Sequence, residues 1–213
     1  YNANGTLVSD DLERAGALNE AFAAKFNESR ATNIPVAPVY HIDSLSRLDI
    51  SEADVRAAIA MVSPNKACGT DNISARIIIE CADELAVPLA KICNLSVMSG
   101  VFPERWKQAN IIPLYKKGDK KDPSNYRSVS LLPLFGKILE RCVFDVLFGH
   151  VSPVLSPHQH GFIPHRSCST NLSIYLKHAW DAMSDGYQTD TIYTDYSSAF
   201  QSVSHPLLIH KLK

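Results

Sequence analysis

Asp190-Thr-Ile-Tyr-Thr-Asp195-Tyr-Ser-Ser-Ala-Phe200-Gln-Ser-Val-Ser-His205 is the stretch on which the fold reading turns. Residues 191–194 are β-prone, and the run ends in the carboxylate of Asp195. Five residues on stands the aromatic ring of Phe200, and His205-Pro-Leu-Leu then reads as a helix start. A carboxylate at a strand end, where the chain turns away, can hold a hard divalent cation. A lone Asp after such a run is more commonly a turn residue, so the rest of the chain has to decide.

Upstream of that stretch, Ser169 or Thr170 is positioned to cap a helix running to about residue 185, with Leu172, Leu176, Ala179 and Met183 inward and Gly186 as its stop. Trp180 reads as a core anchor on it. Residues 133–148 predict another helix, with Leu134, Ile138, Cys142 and Val146 on one side. Before it, residues 109–115 read as a strand and 127–132 as its return. The polar turn Lys116-Lys-Gly-Asp-Lys-Lys-Asp-Pro123 lies between them. Residues 74–99 predict one or two buried helices, with Pro88 just inside the second and Gly100 ending it. Ser51 and Asp54 have capping-box spacing ahead of Val55, Ala58, Ile59 and Val62, a helix expected to stop at Ser63-Pro64. Asp10 and Glu13 repeat that spacing ahead of Leu12, Ala15, Leu18, Phe22 and Phe26, and residues 28–49 read as a connector. Helices around a few separated strands make the class α+β.

The chain has 213 residues, 46% of them apolar and 20% charged, enough for one large domain or two small ones with a real core. Its net charge is −1, which excludes a wholly basic nucleic-acid binder. The charge is uneven, however. Residues 1–104 carry 8 Lys/Arg against 14 Asp/Glu, residues 105–141 carry 9 against 3, and residues 142–213 carry 4 against 5. A local +6 is either an electrostatic footprint for a polyanion or a solvated lysine-rich loop. Five widely spaced cysteines without a C-x-x-C pair point to buried free thiols in a reducing compartment. No apolar run approaches 18 residues, so no membrane span is expected. With no leading Met or signal peptide, the sequence reads as an internal piece of an intracellular protein.

Six segments, in order, resemble the reverse transcriptase of non-LTR, Jockey-like retrotransposons. Asn65-Lys-Ala-Cys-Gly-Thr-Asp71-Asn-Ile73 is similar to the family's K-x-x-G-x-D-x-I segment. Phe102-Pro-x-x-Trp106-Lys107 with Ile111-Ile-Pro-Leu-Tyr-Lys-Lys-Gly-Asp119 resembles the first finger strand. Asn125-Tyr-Arg127-Ser-Val-Ser-Leu-Leu132, with Lys137 and Glu140-Arg141, resembles its return. Gln159-His-Gly-Phe162 with Arg166-Ser-Cys-Ser169-Thr170 is similar to the next block, Asp195-Tyr-Ser-Ser-Ala-Phe200 to the first palm motif, and Lys211-Leu212 to the helix after it.

The resemblance implies the fingers and a partial palm of a right-hand polymerase behind an N-terminal helical extension. Its divisions would be residues 1–49, 50–190 and 191–213, the last a truncated palm. It implies RNA-directed DNA synthesis by two-metal phosphoryl transfer, with Mg²⁺ or Mn²⁺, an RNA template, a DNA primer and dNTPs. By the same likeness Asp195 is the catalytic, metal-holding carboxylate and the Tyr196 carbonyl a further oxygen ligand. Phe200 would exclude a 2′-hydroxyl. Arg127, Lys116 and Lys117 would meet the triphosphate, and Lys107, Lys120 and Lys121 the nucleic-acid backbone. Work in cytoplasm and nucleus would follow. No second palm carboxylate occurs before Lys213, so the isolated piece is expected to be inactive.

The sequence also departs from the family pattern. Ser198 stands where the motif has Lys, Gln201 where it has a second Asp, and Ser128 where Pro follows Tyr-Arg; Ile163 and His165 also differ. These changes open a second reading, a non-catalytic nucleic-acid-binding or interaction protein derived from a decayed element. A third is a fragment left unstable by an unpaired strand edge. His158, His160 and His165 fit no common zinc spacing.

Overall fold

The computed structural model describes residues 8–25, 45, 47–196 and 199–212. In chain order it forms α1 (Asp11–Ala23), α2 (Glu52–Ala60), α3 (Ala75–Glu80), α4 (Ala82–Ser99), α5 (Glu104–Lys107), β1 (Asn110–Tyr115), β2 (Tyr126–Leu131), α6 (Leu134–Val151), α7 (Cys168–Ser184) and α8 (His205–Leu212). β1 and β2 make an antiparallel ribbon, with Asn110 opposite Leu131 and Tyr115 opposite Tyr126.

The core lies among α2, α3, α4 and α6. Val55, Ile59, Ile78, Cys93, Leu134 and Ile138 are buried there almost completely. Local chemistry starts each helix. Ser51 caps α2 by accepting from the Asp54 amide at 3.2 Å, while Asp54 accepts from the Ser51 amide at 2.9 Å. The Ser51 hydroxyl and amide together hold the Asp54 carboxyl below its ordinary range. α3 and α4 are separate because Cys81, at φ −102° and ψ 26°, leaves the helical region between them. Gly100 ends α4 at φ +68°, a left-handed conformation that suits a residue without a Cβ.

Asn94 of α4 ties the entry of α2 to the core. Its side-chain amide donates to the Ile50 carbonyl at 2.8 Å and its carbonyl accepts from the Ile50 amide at 2.9 Å, which pairs both backbone groups of a buried residue. Asn94→Ala leaves both unpaired. We expect a loss of about 2 kcal/mol of stability, read as a lower urea midpoint at unchanged slope.

Trp106 packs between Phe102, with ring centroids 6.1 Å apart, and Phe135 at 6.2 Å. Gly136 permits this approach, since a Cβ there would sit 3.3 Å from the Trp106 Cβ. This aromatic group joins the foot of β1 to the start of α6.

Several expectations need correcting. Residues 191–195 form no strand; they run extended without a ladder, and Ile192 is 87% exposed. A strand is stabilised by its neighbour's backbone groups, and among the described residues none pairs here. α7 exists, but Leu172, Leu176 and Met183 are exposed and Trp180 is 72% exposed rather than a core anchor. Its cap is Ser167, with Thr170 as the third helical residue of a reciprocal box, so neither Ser169 nor Thr170 is the cap. α1 ends at Ala23; Phe22 is buried, Leu12 is exposed, and Phe26 lies outside the described residues, as does most of the connector at 28–49. Asp10 caps α1 with no reciprocal bond from Glu13. α2 stops at Ala60, before Ser63-Pro64, and Pro88 lies in the second turn of α4, not at its start.

All five cysteines are free. Only Cys93 and Cys142 are buried, and burial above all pushes both thiols up to about 11. Such thiols are inert at neutral pH. Cys81 and Cys168 are exposed. Among the described residues no helix is long and apolar enough to cross a membrane.

Candidate nucleic-acid interface

Four of the expected contact residues meet on one short turn. The ladder closes at Lys116, whose amide donates to the Asn125 carbonyl at 2.8 Å. Counting back along the register, Pro113 occupies a position whose amide would point outward, so its missing donor costs no ladder bond. The rings of Tyr115 and Tyr126 meet edge-on at 5.7 Å. The Tyr115 hydroxyl donates to the Gly118 carbonyl at 2.6 Å, and the Tyr126 hydroxyl to the Lys120 carbonyl at 2.8 Å.

The turn itself is also pinned. The Asn125 side chain donates to the Asp119 carbonyl at 3.0 Å, and the Lys121 amide to the Asp119 carboxylate at 2.9 Å. Asp122 accepts from the Ser124 amide at 2.8 Å; the Ser124 hydroxyl and amide hold its carboxyl below the ordinary range. Gly118, at φ +90°, faces the Asn125 side chain so closely that a Cβ would come within 2.7 Å of it. These bonds present Lys116, Lys117, Lys120 and Lys121 on a stiff tip. The Lys120 ammonium sits 5.5 Å from the centre of the Tyr115 ring.

Arg127 lies on β2 opposite Leu114, exposed and close to the tip in the register. The face of α1 leans on the same turn. The Lys25 ammonium donates to the Tyr126 carbonyl at 3.2 Å, and a cavity of about 450 Å³ lies between Arg14, Ala17 and Leu18 on one side and Lys120, Lys121 and Pro123 on the other. Lys107 is placed differently: it pairs with Glu104 at 2.5 Å on the exposed face of α5. An exposed pair of this kind is weak and screened by salt, so it leaves the lysine exchangeable with another anion.

The residues expected at the chemistry stand apart from the tip. Asp195 and Tyr196 are exposed on the extended segment after α7, and Phe200 follows in a turn. No hydrogen bond, ion pair or ring contact joins Asp195 or Phe200 to Lys116, Lys117 or Arg127 among the described residues. Phe200 instead meets Phe162 edge-on, with centroids 5.9 Å apart. That contact links the Gln-His-Gly-Phe block to the Asp195 segment and was not foreseen from the sequence. Phe162 and His165 both adopt φ +63°, an uncommon left-handed backbone for residues with a Cβ. Arg166 closes their loop by donating to the Pro157 and Gln159 carbonyls, each at 2.5 Å. Ser198 lies outside the described residues.

Asp195 is a single carboxylate, and among the described residues no group of three or more His, Cys, Asp or Glu is placed to hold a metal ion. One carboxylate and one backbone carbonyl do not make up the six or more oxygens that hard divalent cations take.

Comparison with known proteins gives the relationship. The chain is 32% identical over 173 residues to the RNA-directed DNA polymerase from mobile element jockey of Drosophila melanogaster, covering 80% of this chain and 19% of that protein. It is 29% identical over 173 residues to the probable RNA-directed DNA polymerase from transposon BS of the same fly, again 80% of this chain and 19% of the relative. A putative 115 kDa protein in type-1 retrotransposable element R1DM, also from Drosophila melanogaster, is 28% identical over 213 residues, 98% of this chain and 20% of that protein. The chain thus spans about a fifth of the length of these curated relatives. No family model matches it.

Proposed function

The chain is related to the RNA-directed DNA polymerases of jockey-type and other non-LTR retrotransposons, and we propose that it makes up the fingers and the beginning of the palm of such an enzyme. The observation that carries this reading is the β1–β2 ribbon. It presents four lysines on a hydrogen-bonded tip, with Arg127 just behind them on β2. Amine and guanidinium donors on a rigid turn suit the oxygens of a triphosphate and of a nucleic-acid backbone. Lys116, Lys117 and Arg127 are assigned to the incoming dNTP, and Lys107, Lys120 and Lys121 to the RNA template and DNA primer. Contacts of this kind position the strand without reading its sequence.

Divalent ions, Mg²⁺ or Mn²⁺, would supply charge stabilisation for the transferring phosphoryl group. Asp195 and the Tyr196 carbonyl would hold one of them, and the remaining ligands must come from outside these 213 residues. Phe200 is assigned to the sugar of the incoming nucleotide, where a ring rejects a 2′-hydroxyl by bulk alone.

These 213 residues by themselves are expected to bind single-stranded RNA in a salt-sensitive way and to extend no primer. Templated synthesis by this chain that disappears with Asp195→Ala would overturn the second statement. RNA binding that is insensitive to salt would overturn the first.

A further inference from the structure

Between the C-terminal turn of α2 and the first two turns of α6 lies a cavity of about 300 Å³. Ser63, Met61 and Ile138 form part of its wall, and three cations complete it: Lys66, Lys137 and Arg141. They come from separate places in the sequence. Lys66 follows α2 in the loop, whereas Lys137 and Arg141 stand on successive turns of α6. Arg141 is answered by Asp145 at 2.9 Å. Neither Lys66 nor Lys137 has a carboxylate within ion-pair distance, or donates to a carbonyl, among the described residues.

This arrangement costs the fold. Lys137 is half-buried; burial first, and then the charge of Lys66, hold its ammonium below the ordinary range, and Glu140 opposes this only in part. α6 also begins at Pro133 without a side-chain cap, so the positive end of its dipole adds to the local potential. One structural role would justify two lysines here, namely bonding the last carbonyls of α2. The ammoniums make no such bond. What offsets a desolvated pair of like charges is an anion with several oxygens.

We propose that this cavity is a phosphate subsite, in which Lys66 and Lys137 grip one backbone phosphodiester of a bound RNA strand and Arg141 stands at the rim. The inference rests on the polymerase reading above and extends its nucleic-acid track from the ribbon tip to the helical core. It uses residues that lie 71 positions apart, Lys66 and Lys137, and that only the packing of α2 on α6 brings together.

The test is fluorescence anisotropy of a labelled single-stranded RNA oligonucleotide against the 213-residue chain across a range of salt. Four proteins are compared: wild type, Lys66→Gln/Lys137→Gln, Lys66→Arg/Lys137→Arg, and the ribbon variant Lys120→Gln/Lys121→Gln. The Gln pair should weaken binding about 25-fold at 0.1 M salt and reduce the salt slope by about 1.4, at roughly 0.7 per lost phosphate contact. The Arg pair should bind like wild type. The thermal midpoint of the Gln pair should be no lower than that of wild type, because a repulsion is removed. Unchanged RNA affinity and slope in the Gln pair, with the ribbon variant weakened, overturns this subsite and leaves the polymerase reading standing. A lower midpoint with unchanged affinity assigns the lysines to the α2 terminus and also overturns it. No salt-dependent RNA binding by wild type overturns both.

Discussion

Gly69→Ala lowers the thermal midpoint of this chain by about 10 °C. Gly69 is buried in the loop between α2 and α3, against the backbone that leads into α6. A Cβ there would lie 2.3 Å from the Pro133 nitrogen and 2.6 Å from the Leu132 carbonyl carbon. Both atoms are main chain, so no rotamer change relieves the clash. Either the loop or the start of α6 must move, and α6 begins with Leu134, one of the most deeply buried side chains of the core. Overpacking of a rigid site costs about 3 kcal/mol, and for a chain of this size each kcal/mol lowers the midpoint by about 2–4 °C. Circular dichroism melting checks it; a midpoint within about 2 °C of wild type would show that the loop does not bear on α6. The glycine of the K-x-x-G-x-D segment thus has a physical reason: the chain passes too close to another backbone for any side chain. Its φ is not left-handed, so turn chemistry alone does not explain it.

The second large effect concerns binding. Replacing Lys116, Lys117, Lys120 and Lys121 together by Gln should weaken single-stranded RNA binding about 10²- to 10³-fold at 0.1 M salt, at roughly 0.7 logarithmic units of salt slope per lost contact. The fold should survive, because the turn is held by Tyr115, Asp119, Asp122, Asn125 and Tyr126 and not by the lysine side chains. Unfolding followed by circular dichroism separates the two effects. A loss of only a few-fold, with the fold intact, would return these lysines to a solvated surface loop and move the polyanion track elsewhere.

How much of this was legible in the sequence differs by element. The ribbon was readable because its signals are local: an apolar run, a polar turn with Gly118 and Pro123, and a second run. The box at Ser51 and Asp54 was readable for the same reason, as was the stop at Gly100. The exact cap of α7 was missed by two residues, because Ser167, Ser169 and Thr170 all carry a capping hydroxyl and only the backbone decides which one leaves the helix. The Asp195 segment was legible as a motif but not as a strand, since a strand is a property of two chain segments and one of them has to be supplied. The lysines of the α2–α6 cavity were visible one by one, and nothing local joined them.

By itself, then, the sequence determined the caps, the ribbon with its charged tip, the apolar faces of the helices and the kinship with non-LTR retrotransposon polymerases. Those follow from short-range backbone chemistry and from residue order. Only the tertiary structure decided which apolar faces find a partner. α6 and α7 carry similar stripes, yet Leu134 and Ile138 are sealed against α2 and α4 while Leu172 and Met183 face solvent. Tertiary packing likewise decided why position 69 is glycine and why Lys66 meets Lys137. Burial and close approach belong to pairs of surfaces, and no single stretch of chain contains both members of the pair.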